Sequence, residues 1–464
     1  MIASLLDLLD HTLVNEHATF YDTGDWDSEV SYGSFRRQVE RLSAGLRAAG
    51  VVRGDRVAMQ LPKGPISLAL YGATILSGAV LLPMNPAYTV DESSYILADA
   101  EPKLFVNDEW MIPQMMEGQP ADFEPVQRAG DELAAILYTS GTTGRPKGAM
   151  LTDGALVANA LALRDVWQFT DTDWFVHALP LYHAHGLFIT LNCVLASRCR
   201  MSLLGAFNPS PVIATFRRGA TVFSGVPTYY TRLLADPTFD ADACSSLRLL
   251  ISGSAPMLAS THAEVEARTG LQVHERYGTT ETQVLTAHTL GAARPGTVGP
   301  PLPGYEVRIA GELGYVEARS ANPFTGYWGR REQSTDDFPG DGFFRTGDVG
   351  AFDADGHLVL SGRSKDLIIS GGLNVYPVEV ERVLDAIDGV EESAVVGVPD
   401  ADFGEVVVAY VVLAPGATLT SEALRDAARA SLAGYKSPKR IAIVEHLPRN
   451  AMGKVEKAKL RALT

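Results

Sequence analysis

The feature that most constrains the fold is a regular alternation, in the middle of the chain, between segments typical of buried strands and segments typical of helices. Parallel strands need a crossover connection, usually a helix, so this alternation favours parallel sheets covered by helices. The strand-like runs are residues 133–137, 174–179, 221–224, 247–251 and 272–275, and the helix-like runs are residues 154–167, 209–217, 228–234 and 260–268. The sequence therefore predicts an α/β fold whose large N-terminal domain contains parallel-rich sheets covered by helices.

The pattern changes after residue 363. Short strand-like and helix-like runs continue to the C-terminus and fit an α+β unit of about a hundred residues, an ordinary size for a domain. A polar segment that contains a glycine, Gly-Arg-Ser-Lys-Asp at 362–366, separates the two parts and has the composition of a hinge. We therefore expect a large domain over residues 1–363, a hinge at 364–366 and a small mobile α+β domain over residues 367–464.

Composition narrows the partners that such a fold can have. Among 464 residues, 39 Lys and Arg face 55 Asp and Glu, which gives a formal net charge of −16. An acidic surface does not attract nucleic acid or an anionic bilayer as a whole, so an anionic ligand must be bound by a local cluster of donors. The uncharged stretch between Lys63 and Asp91 is diluted by Ser and Gly and ended by prolines. We expect a buried helix and a buried strand there, and no membrane span.

The cysteines indicate the redox compartment. Cys193, Cys199 and Cys244 form no CxxC pair, so the sequence predicts neither a disulfide framework nor a zinc module. This usage is typical of the reducing cytoplasm, where we expect the protein to act. The sequence leaves the oligomeric state open.

The clearest chemical motif is the segment Tyr-Thr-Ser-Gly-Thr-Thr-Gly-Arg-Pro-Lys-Gly at residues 138–148, directly after a predicted strand. Glycines allow the backbone to approach a polyphosphate, while hydroxyls, N–H groups and a lysine supply donors. A Walker A loop requires Gly-Lys-Ser/Thr at its end, whereas here Pro146 precedes Lys147 and Gly148 follows it. We interpret the segment as a phosphate-binding loop of another type.

This loop resembles the phosphate loop of the acyl-adenylate-forming superfamily, which contains acyl-CoA synthetases, adenylation domains and firefly-type luciferases. Further segments resemble motifs of this family and occur in the family's order along nearly the whole chain. They are Tyr-Gly-Thr-Thr-Glu-Thr at 277–282, Phe-Arg-Thr-Gly-Asp at 344–348, the hinge segment at 362–366, Ser-Gly-Gly-Leu-Asn-Val-Tyr-Pro at 370–377 and Pro-Arg-Asn-Ala-Met-Gly-Lys at 448–454. The resemblance implies an AMP-forming acid–thiol ligase that uses ATP, Mg²⁺ and CoA and activates a small carboxylate.

The resemblance also implies roles for individual residues. Glu281, a hard oxygen ligand, is expected to hold Mg²⁺ against the phosphates with help from Thr280. Lys454 is expected to neutralise the charge that develops at the α-phosphate as the carboxylate attacks. The residues implied in nucleotide binding are Thr139, Ser140, Gly141, Thr142, Thr143 and Lys147 for the phosphates, Gly253, Ser254, Ala255, Tyr277 and Gly278 near adenine, and Asp348 and Arg363 at the ribose.

A second half-reaction is implied by the hinge. Similar enzymes rotate the small domain about the position of Lys365, so that Lys454 leaves the site. The glycines Gly371 and Gly372 then line a tunnel for the pantetheine arm of CoA, whose thiol attacks the acyl-adenylate. We therefore expect two conformations of the small domain, one for each half-reaction.

The residue before Tyr277 predicts the acyl substrate. Side chains alternate along a strand, so Arg276 faces away from Tyr277, and the resemblance implies that this position faces the acyl group. A buried arginine is costly unless it is paired, and a second carboxylate on the substrate is a bidentate partner for it. Malonate fits, and the segments at 179–187, 225–232 and 252–256 resemble those of malonyl-CoA synthetases. Arg232 is a second candidate anchor.

Other readings of the same residues remain open. Arg276 can instead pair with Glu275 or another nearby acid, which would leave a ligase for a monocarboxylic acid. Thr279 stands where malonyl-CoA synthetases usually have Met, which favours methylmalonate as an alternative substrate. An adenylation enzyme that loads a carrier protein is a further alternative, although no acidic residue lies at 179–186 to hold an amino group. His183 and His185 form a His-x-His pair, but we expect His183 to line the acyl pocket rather than bind a metal.

Overall fold

A computed structural model describes residues 2–24, 28–139, 146–330, 337–400, 402–449 and 454–463. The strands are β1 (Thr19–Asp22), β2 (Val30–Ser31), β3 (Arg56–Met59), β4 (Val80–Pro83), β5 (Leu104–Val106), β6 (Leu133–Thr139), β7 (Lys147–Thr152), β8 (Trp174–His177), β9 (Arg200–Leu203), β10 (Val222–Gly225), β11 (Leu249–Ser252), β12 (Val273–Thr279), β13 (Gln283–Ala287), β14 (Tyr305–Ala310), β15 (Tyr315–Ser320), β16 (Phe344–Phe352), β17 (Leu358–Arg363), β18 (Ile368–Ser370), β19 (Leu373–Val375), β20 (Val390–Asp400), β21 (Gly404–Leu413) and β22 (Arg440–Ile443). The α-helices are α1 (Leu5–His11), α2 (Tyr32–Ala48), α3 (Pro65–Ser77), α4 (Val90–Ala100), α5 (Met111–Met116), α6 (Asp153–Val166), α7 (Leu191–Ser197), α8 (Pro209–Arg217), α9 (Pro227–Leu234), α10 (Ala259–Thr269), α11 (Pro377–Asp385), α12 (Ser421–Ser431) and α13 (Lys457–Arg461).

The largest sheet has the strand order β13-β12-β11-β10-β8-β9-β1-β2. Neighbours from β12 to β1 run parallel, and antiparallel strands stand at both edges. Its central strands β10 and β11 are buried along their whole length, because the connecting helices shield them from water. The polar residues that follow β10, β11 and β12 therefore gather at one edge of this sheet.

A second sheet, in the order β5-β3-β4-β6-β7, is parallel except for the hairpin of β6 and β7. The predicted phosphate loop connects the two strands of this hairpin, and the predicted helix at 154–167 corresponds to α6, which begins directly after β7. The uncharged stretch before Asp91 forms α3 and β4, and α3 is buried from Ser67 to Ser77. In the described part of the chain no helix has the length and apolar character needed to cross a membrane.

A third sheet, β14-β15-β16-β17, is antiparallel throughout and was not predicted. Its strands carry charged and polar residues at alternate positions, because one side of the sheet remains partly exposed. The pairing of β16 with β17 places Asp348 directly opposite Arg363. Two residues that the sequence separates by fifteen positions are thus fixed side by side.

The remaining sheet uses only strands after residue 367, in the order β19-β18-β21-β20, and β22 pairs with β21 in parallel. Val380 and Leu384 of α11 and Leu424 of α12 pack in one buried cluster with strand residues of this sheet, whereas Leu460 of α13 packs in another. These helices and mostly antiparallel strands form the α+β unit, and the predicted α/β class with parallel-rich sheets is confirmed. The boundaries of the two domains stay a prediction.

Candidate active site

Tyr277 and Asp348, which are buried, and the partly exposed Arg363 form a cluster where the first and third sheets meet. The Tyr277 hydroxyl donates to Asp348 Oδ2 at 2.6 Å, and Arg363 Nε lies 2.9 Å from Asp348 Oδ1. Burial raises the pKa of Tyr277 well above its ordinary value, and the charge of Asp348 adds to the effect, so the phenol stays a donor. A carboxylate has about four acceptor positions, so Asp348 keeps capacity for two further donors such as ribose hydroxyls.

Tyr327 lies between Glu281 and Lys147 and contacts both side chains. The Tyr327 hydroxyl donates to Glu281 Oε1 at 2.9 Å, and Lys147 Nζ stands 5.1 Å from the centre of the Tyr327 ring. A backbone bridge between Ala149 and Tyr327 holds the ring against β7. Sequence reasoning missed Tyr327, because nothing in its local pattern distinguishes it from a packing aromatic.

The ends of the phosphate loop are held together. Thr139 and Lys147 are direct partners in the β6–β7 hairpin, and Thr139 Oγ1 lies 3.5 Å from the Lys147 carbonyl oxygen. The predicted phosphate-binding residues between them, Ser140, Gly141, Thr142 and Thr143, lie outside the described residues. The loop therefore starts and ends beside the Glu281–Tyr327 pair.

The donor set near Glu281 fits a magnesium ion that arrives with ATP. Mg²⁺ is usually held by one or two carboxylates together with substrate phosphates and waters. Over the residues that the structure describes, no group of three or more His, Cys, Asp or Glu side chains is arranged to hold a metal by itself. One carboxylate beside a phosphate loop therefore matches the expected arrangement, and Thr280 next to it is half-buried.

Lys454 is exposed, and its ammonium lies near enough to Arg363 and Asp348 for their charges to act on it. Partial desolvation of the ammonium lowers the pKa of Lys454, and the charge of Arg363 adds to the effect while Asp348 opposes it. The charge of Lys454 also contributes to a lowered pKa of His183 on the large domain. Lys454 is thus close to Asp348 and to His183 in this structure.

Arg276 on β12 is only 6% exposed. Its Nε and Nη2 atoms are buried and have no hydrogen-bond partner among the described residues. Burial lowers the pKa of Arg276 to about 10, so the guanidinium is charged at neutral pH. Gly253 leaves room for it, because a Cβ atom there would stand 2.5 Å from Arg276 Nε.

Glu275 does not pair with this arginine. Its carboxylate Oε1 lies 2.9 Å from His262 Nε2, and its Oε2 accepts a hydrogen bond from the Met257 N–H at 3.3 Å. The two side chains point to opposite faces of β12, as alternation requires. The structural ion pair that competed with a substrate role for Arg276 is therefore absent between these two described residues.

Histidines stand next to the guanidinium. Burial, followed by the charge of Arg276, lowers the pKa of His183 to about 4, and the pKa of His185 is well below its ordinary value for the same reasons. Both imidazoles are therefore neutral at pH 7. His185 Nε2 lies 2.9 Å from Ser224 Oγ, and His185 Nδ1 lies 3.3 Å from Ser254 Oγ. Ser254, which is predicted to lie near adenine, thus contacts the His185 imidazole in this structure.

A π-helical turn, His185–Thr190, carries one of these histidines directly before α7. π-helical turns are rare and are frequent at functional sites. Arg276, His185, Thr190 and Ser224 line a small cavity, and its remaining walls are apolar or aromatic. These remaining walls are Trp167, Phe169, Phe175, Ile189, Cys193 and Ile251.

The other predicted site residues lie outside this cluster. Arg232 is exposed on α9, so we correct its role as a second anchor: an exposed guanidinium is already solvated and does not need a substrate carboxylate. Lys365 is exposed in the single helical turn Ser364–Asp366. Gly371 and Gly372, with φ of +60° and +78°, form the exposed turn between β18 and β19 and face no element of the nucleotide cluster.

The residues that remain are Gly278 and Ala255. A Cβ atom on Gly278 would stand 1.7 Å from the Gln283 carbonyl oxygen, so only glycine allows β13 to approach β12 at this point. Ala255 is half-buried in the loop after β11, next to the positions of Gly253 and Ser254. Their predicted contacts with adenine stay predictions.

The comparisons with known proteins agree with this geometry. Residues 12–328 match the model for the AMP-binding enzyme family, and residues 379–454 match the model for the AMP-binding enzyme C-terminal domain. The chain belongs to the AMP-binding enzyme family. As predicted, it is an AMP-forming acid–CoA ligase that uses ATP, Mg²⁺ and CoA and acts on a small carboxylate.

Similar members of this family differ in the acids named for them. The crystal structure of ATP-bound MatB from Rhodopseudomonas palustris is 42% identical, with a TM-score of 0.95, and the match covers 100% of this chain and 99% of that chain. The feruloyl-CoA synthase of an Amycolatopsis species is 36% identical over 97% of this chain and 96% of its own length. The malonate–CoA ligase of Arabidopsis thaliana is 33% identical over 89% of this chain and 78% of its own length.

Proposed function

We propose that the protein is a malonate–CoA ligase, which forms malonyl-AMP and then malonyl-CoA and releases pyrophosphate and AMP. The observation that carries this proposal is the buried guanidinium of Arg276, whose Nε and Nη2 have no partner among the described residues. An unpaired charge in a closed site is costly to the folded protein. A substrate with a second carboxylate supplies the missing partner through two parallel N–H···O bonds.

The geometry suits a short diacid. Both Arg276 and Lys454 contribute to the lowered pKa of His183, so both cations lie near this histidine. A carboxylate bound by Arg276 leaves the other end of a short chain directed towards Lys454 and the nucleotide cluster. Malonate has one methylene between its carboxylates and fits this spacing better than a long-chain acid.

The first half-reaction follows from these positions. A carboxylate oxygen of malonate attacks the α-phosphorus of ATP, and pyrophosphate leaves. Lys454 offsets the negative charge that grows on the α-phosphate oxygens, and such preorganised donors typically contribute about 10²–10³-fold in rate. Glu281, held by Tyr327, would bind Mg²⁺, which when bound neutralises phosphate charge.

The second half-reaction needs a different position of the small domain. The CoA sulfur attacks the carbonyl carbon of malonyl-AMP, and AMP leaves. We propose that residues 364–366 act as the hinge between domains 1–363 and 367–464, and that the turn at Gly371 and Gly372 then reaches the pantetheine arm. Their exposure in this structure supports the proposal, because a surface that contacts CoA later must be accessible now.

Methylmalonate is a second candidate substrate, because Thr279 is smaller than the Met expected at its position. Aromatic acids such as ferulate are disfavoured, since the Arg276 side chain stands in the cavity that Trp167 and Phe175 line.

A panel of acids tests these assignments through CoA-dependent AMP release. With acetate, malonate, methylmalonate, succinate and ferulate, we expect kcat/KM for malonate to exceed that for acetate by at least about 10²-fold, the size of a buried charge pair. A value for acetate or ferulate equal to that for malonate would contradict the proposal.

A further inference from the structure

Residues 448–449 and 454–456 of the small domain lie side by side, and we call these paired residues the hairpin; residues 450–453 between them lie outside the described residues. An antiparallel bridge joins Arg449 to Val455, and the Glu456 N–H donates to the Pro448 carbonyl oxygen at 2.8 Å. α13 begins directly afterwards, at Lys457. The position of Lys454 is therefore set by how the two ends of this hairpin are attached to the rest of the small domain.

Both ends are attached by ion pairs to one acidic region. Arg449 pairs with Glu392 of β20, and Lys457 Nζ lies 2.7 Å from Glu381 Oε1 on α11. The side chains of the second pair are only 19% and 15% exposed. Glu381 Oε1 also accepts a hydrogen bond from the Val395 N–H at 2.8 Å. The pair thus links α11, β20 and the start of α13.

The acidic region holds more negative charge than its surroundings favour. Burial is the main cause that raises the pKa of Asp385 to about 7. The charges of Glu381 and Glu392 add to this rise, and a hydrogen bond from Ser393 opposes it. Carboxylates this close repel one another, so the cations at the two ends of the hairpin stabilise the region. Partly buried pairs of this kind are less screened by salt than exposed pairs.

The attachment matters because the distance along the chain is short. Lys457 follows Lys454 by three residues, which span at most about 10 Å when extended. The Tyr410 hydroxyl, which donates to the Leu460 carbonyl oxygen, and the Arg461–Asp366 pair hold the far end of α13. Lys457 is the attachment nearest to Lys454, so removing its contact loosens the segment that carries this lysine. A displacement of about 1 Å in a reacting geometry typically costs up to about 10²-fold in rate.

We propose that Glu381 and Glu392 are positioning residues for adenylation: through Lys457 and Arg449 they hold the hairpin so that Lys454 points into the cleft. This inference rests on the proposed role of Lys454. It assigns no chemical step to the two glutamates, and it predicts that they matter for the first half-reaction alone. CoA attack takes place after the hairpin has left the site.

The test separates the half-reactions in the full-length protein. Pyrophosphate release without CoA measures adenylation in a single turnover, and AMP release from added malonyl-AMP and CoA measures the second step. Glu381→Gln and Lys457→Met are each expected to slow adenylation about 10- to 100-fold, to change the KM values for ATP and malonate less than about twofold, and to leave the second step unchanged. The double variant is expected to be no slower than either single variant, because both remove the same pair.

A matched control is available on the same helix. Lys459 pairs with Glu456 at 2.5 Å, but its side chain is 66% exposed, so Lys459→Met is expected to change neither half-reaction. Adenylation within twofold of the parent in a folded Lys457→Met protein would overturn the inference. If Lys454→Ala leaves adenylation unchanged, the proposed role of Lys454 is wrong. If Lys454→Ala slows adenylation while Glu381→Gln and Lys457→Met both keep a normal rate, only the positioning role is wrong.

Discussion

Replacing Arg276 by Met should make the ligand-free protein more stable while it removes the preference for malonate. Met reaches about as far as the Nε atom of arginine, carries no charge and lacks the guanidinium carbon and the two terminal nitrogens. Within the described residues the guanidinium leaves Nε and Nη2 unpartnered, so the change breaks no hydrogen bond of those two atoms. What it removes is the cost of holding a charge away from water.

The size of the effect follows from the lowered pKa. The pKa of Arg276 falls from its ordinary 12.5 to about 10 because of burial, and at 1.36 kcal/mol per pKa unit the charged form is disfavoured by about 3 kcal/mol. For a base with a lowered pKa this penalty is present at every pH below about 10 and disappears as pH rises above that value. At pH 7 the variant should therefore gain up to about 3 kcal/mol in the free energy of unfolding.

Activity should change in the opposite direction. Losing one partner of a buried charge pair costs about 2–5 kcal/mol, which at 1.36 kcal/mol per factor of ten corresponds to a loss of about 30- to 5,000-fold in kcat/KM for malonate. For acetate, which has no second carboxylate, kcat/KM should change only a few-fold. Malonate should raise the Tm of the parent protein by mass action and have no effect on the Tm of the variant.

The assay combines thermal unfolding, with and without malonate, with CoA-dependent AMP release from malonate and acetate. Arg232→Met is the matched control, because this arginine is exposed on α9 and its removal should alter neither stability nor preference. The reasoning is refuted if Arg276→Met keeps the ratio of malonate to acetate activity within a few-fold of the parent. A loss of stability in the ligand-free variant would refute the argument from the unpartnered charge.

Three further changes test other parts of the structure. Lys365→Pro should leave pyrophosphate release nearly intact and strongly slow thioester formation, because proline restricts the proposed hinge; an equal loss in both half-reactions would count against two conformations. Asp385→Asn should raise the free energy of unfolding by up to about 4 kcal/mol above pH 7. The pKa of Asp385 rises from 3.8 to about 7 on folding, so the parent protein loses stability as pH increases between those values. In denaturant titrations the stability difference between variant and parent should vanish below pH 4, and a pH-independent difference contradicts the assignment. Tyr327→Phe keeps the ring beside Lys147 but removes the donor to Glu281. Half-maximal pyrophosphate release should then need about fivefold more Mg²⁺, as expected for the loss of one hydrogen bond of about 1 kcal/mol. An unchanged Mg²⁺ titration would show that the tyrosine does not position Glu281.

Much of the fold was predictable because its determinants are local. The strand-like and helix-like runs reproduce β6, β8, β10, β11 and β12 and the helices α6, α8, α9 and α10 to within a few residues. The antiparallel β14–β17 sheet was missed, because its half-exposed strands lack the continuous apolar runs of the parallel sheets. The hairpin of β6 and β7 was missed for a different reason: Lys147 and Gly148 are poor indicators of a strand, and their pairing with β6 is what makes them one.

The candidate site divides in the same way. Alternation along one strand was enough to place Arg276 and Tyr277 on opposite faces, and the order of the motifs was enough to indicate an adenylate-forming ligase. These properties depend only on neighbours in the chain. Tyr327 escaped notice because its partner Glu281 lies 46 residues away, and Arg232 was overrated because a sequence does not show exposure.

Thus the amino-acid sequence by itself determined the order of the elements, the chemical types in the motifs and the face on which each side chain of β12 lies. Only the tertiary structure decided which groups meet. In the folded protein Glu275 pairs with His262, and Asp348 pairs with Tyr277 and Arg363. Arg276 is buried, and two of its nitrogens have no partner among the described residues. The physical reason is that burial and pairing depend on contacts between residues far apart in the chain, and these contacts exist only once the sheets and helices have packed together.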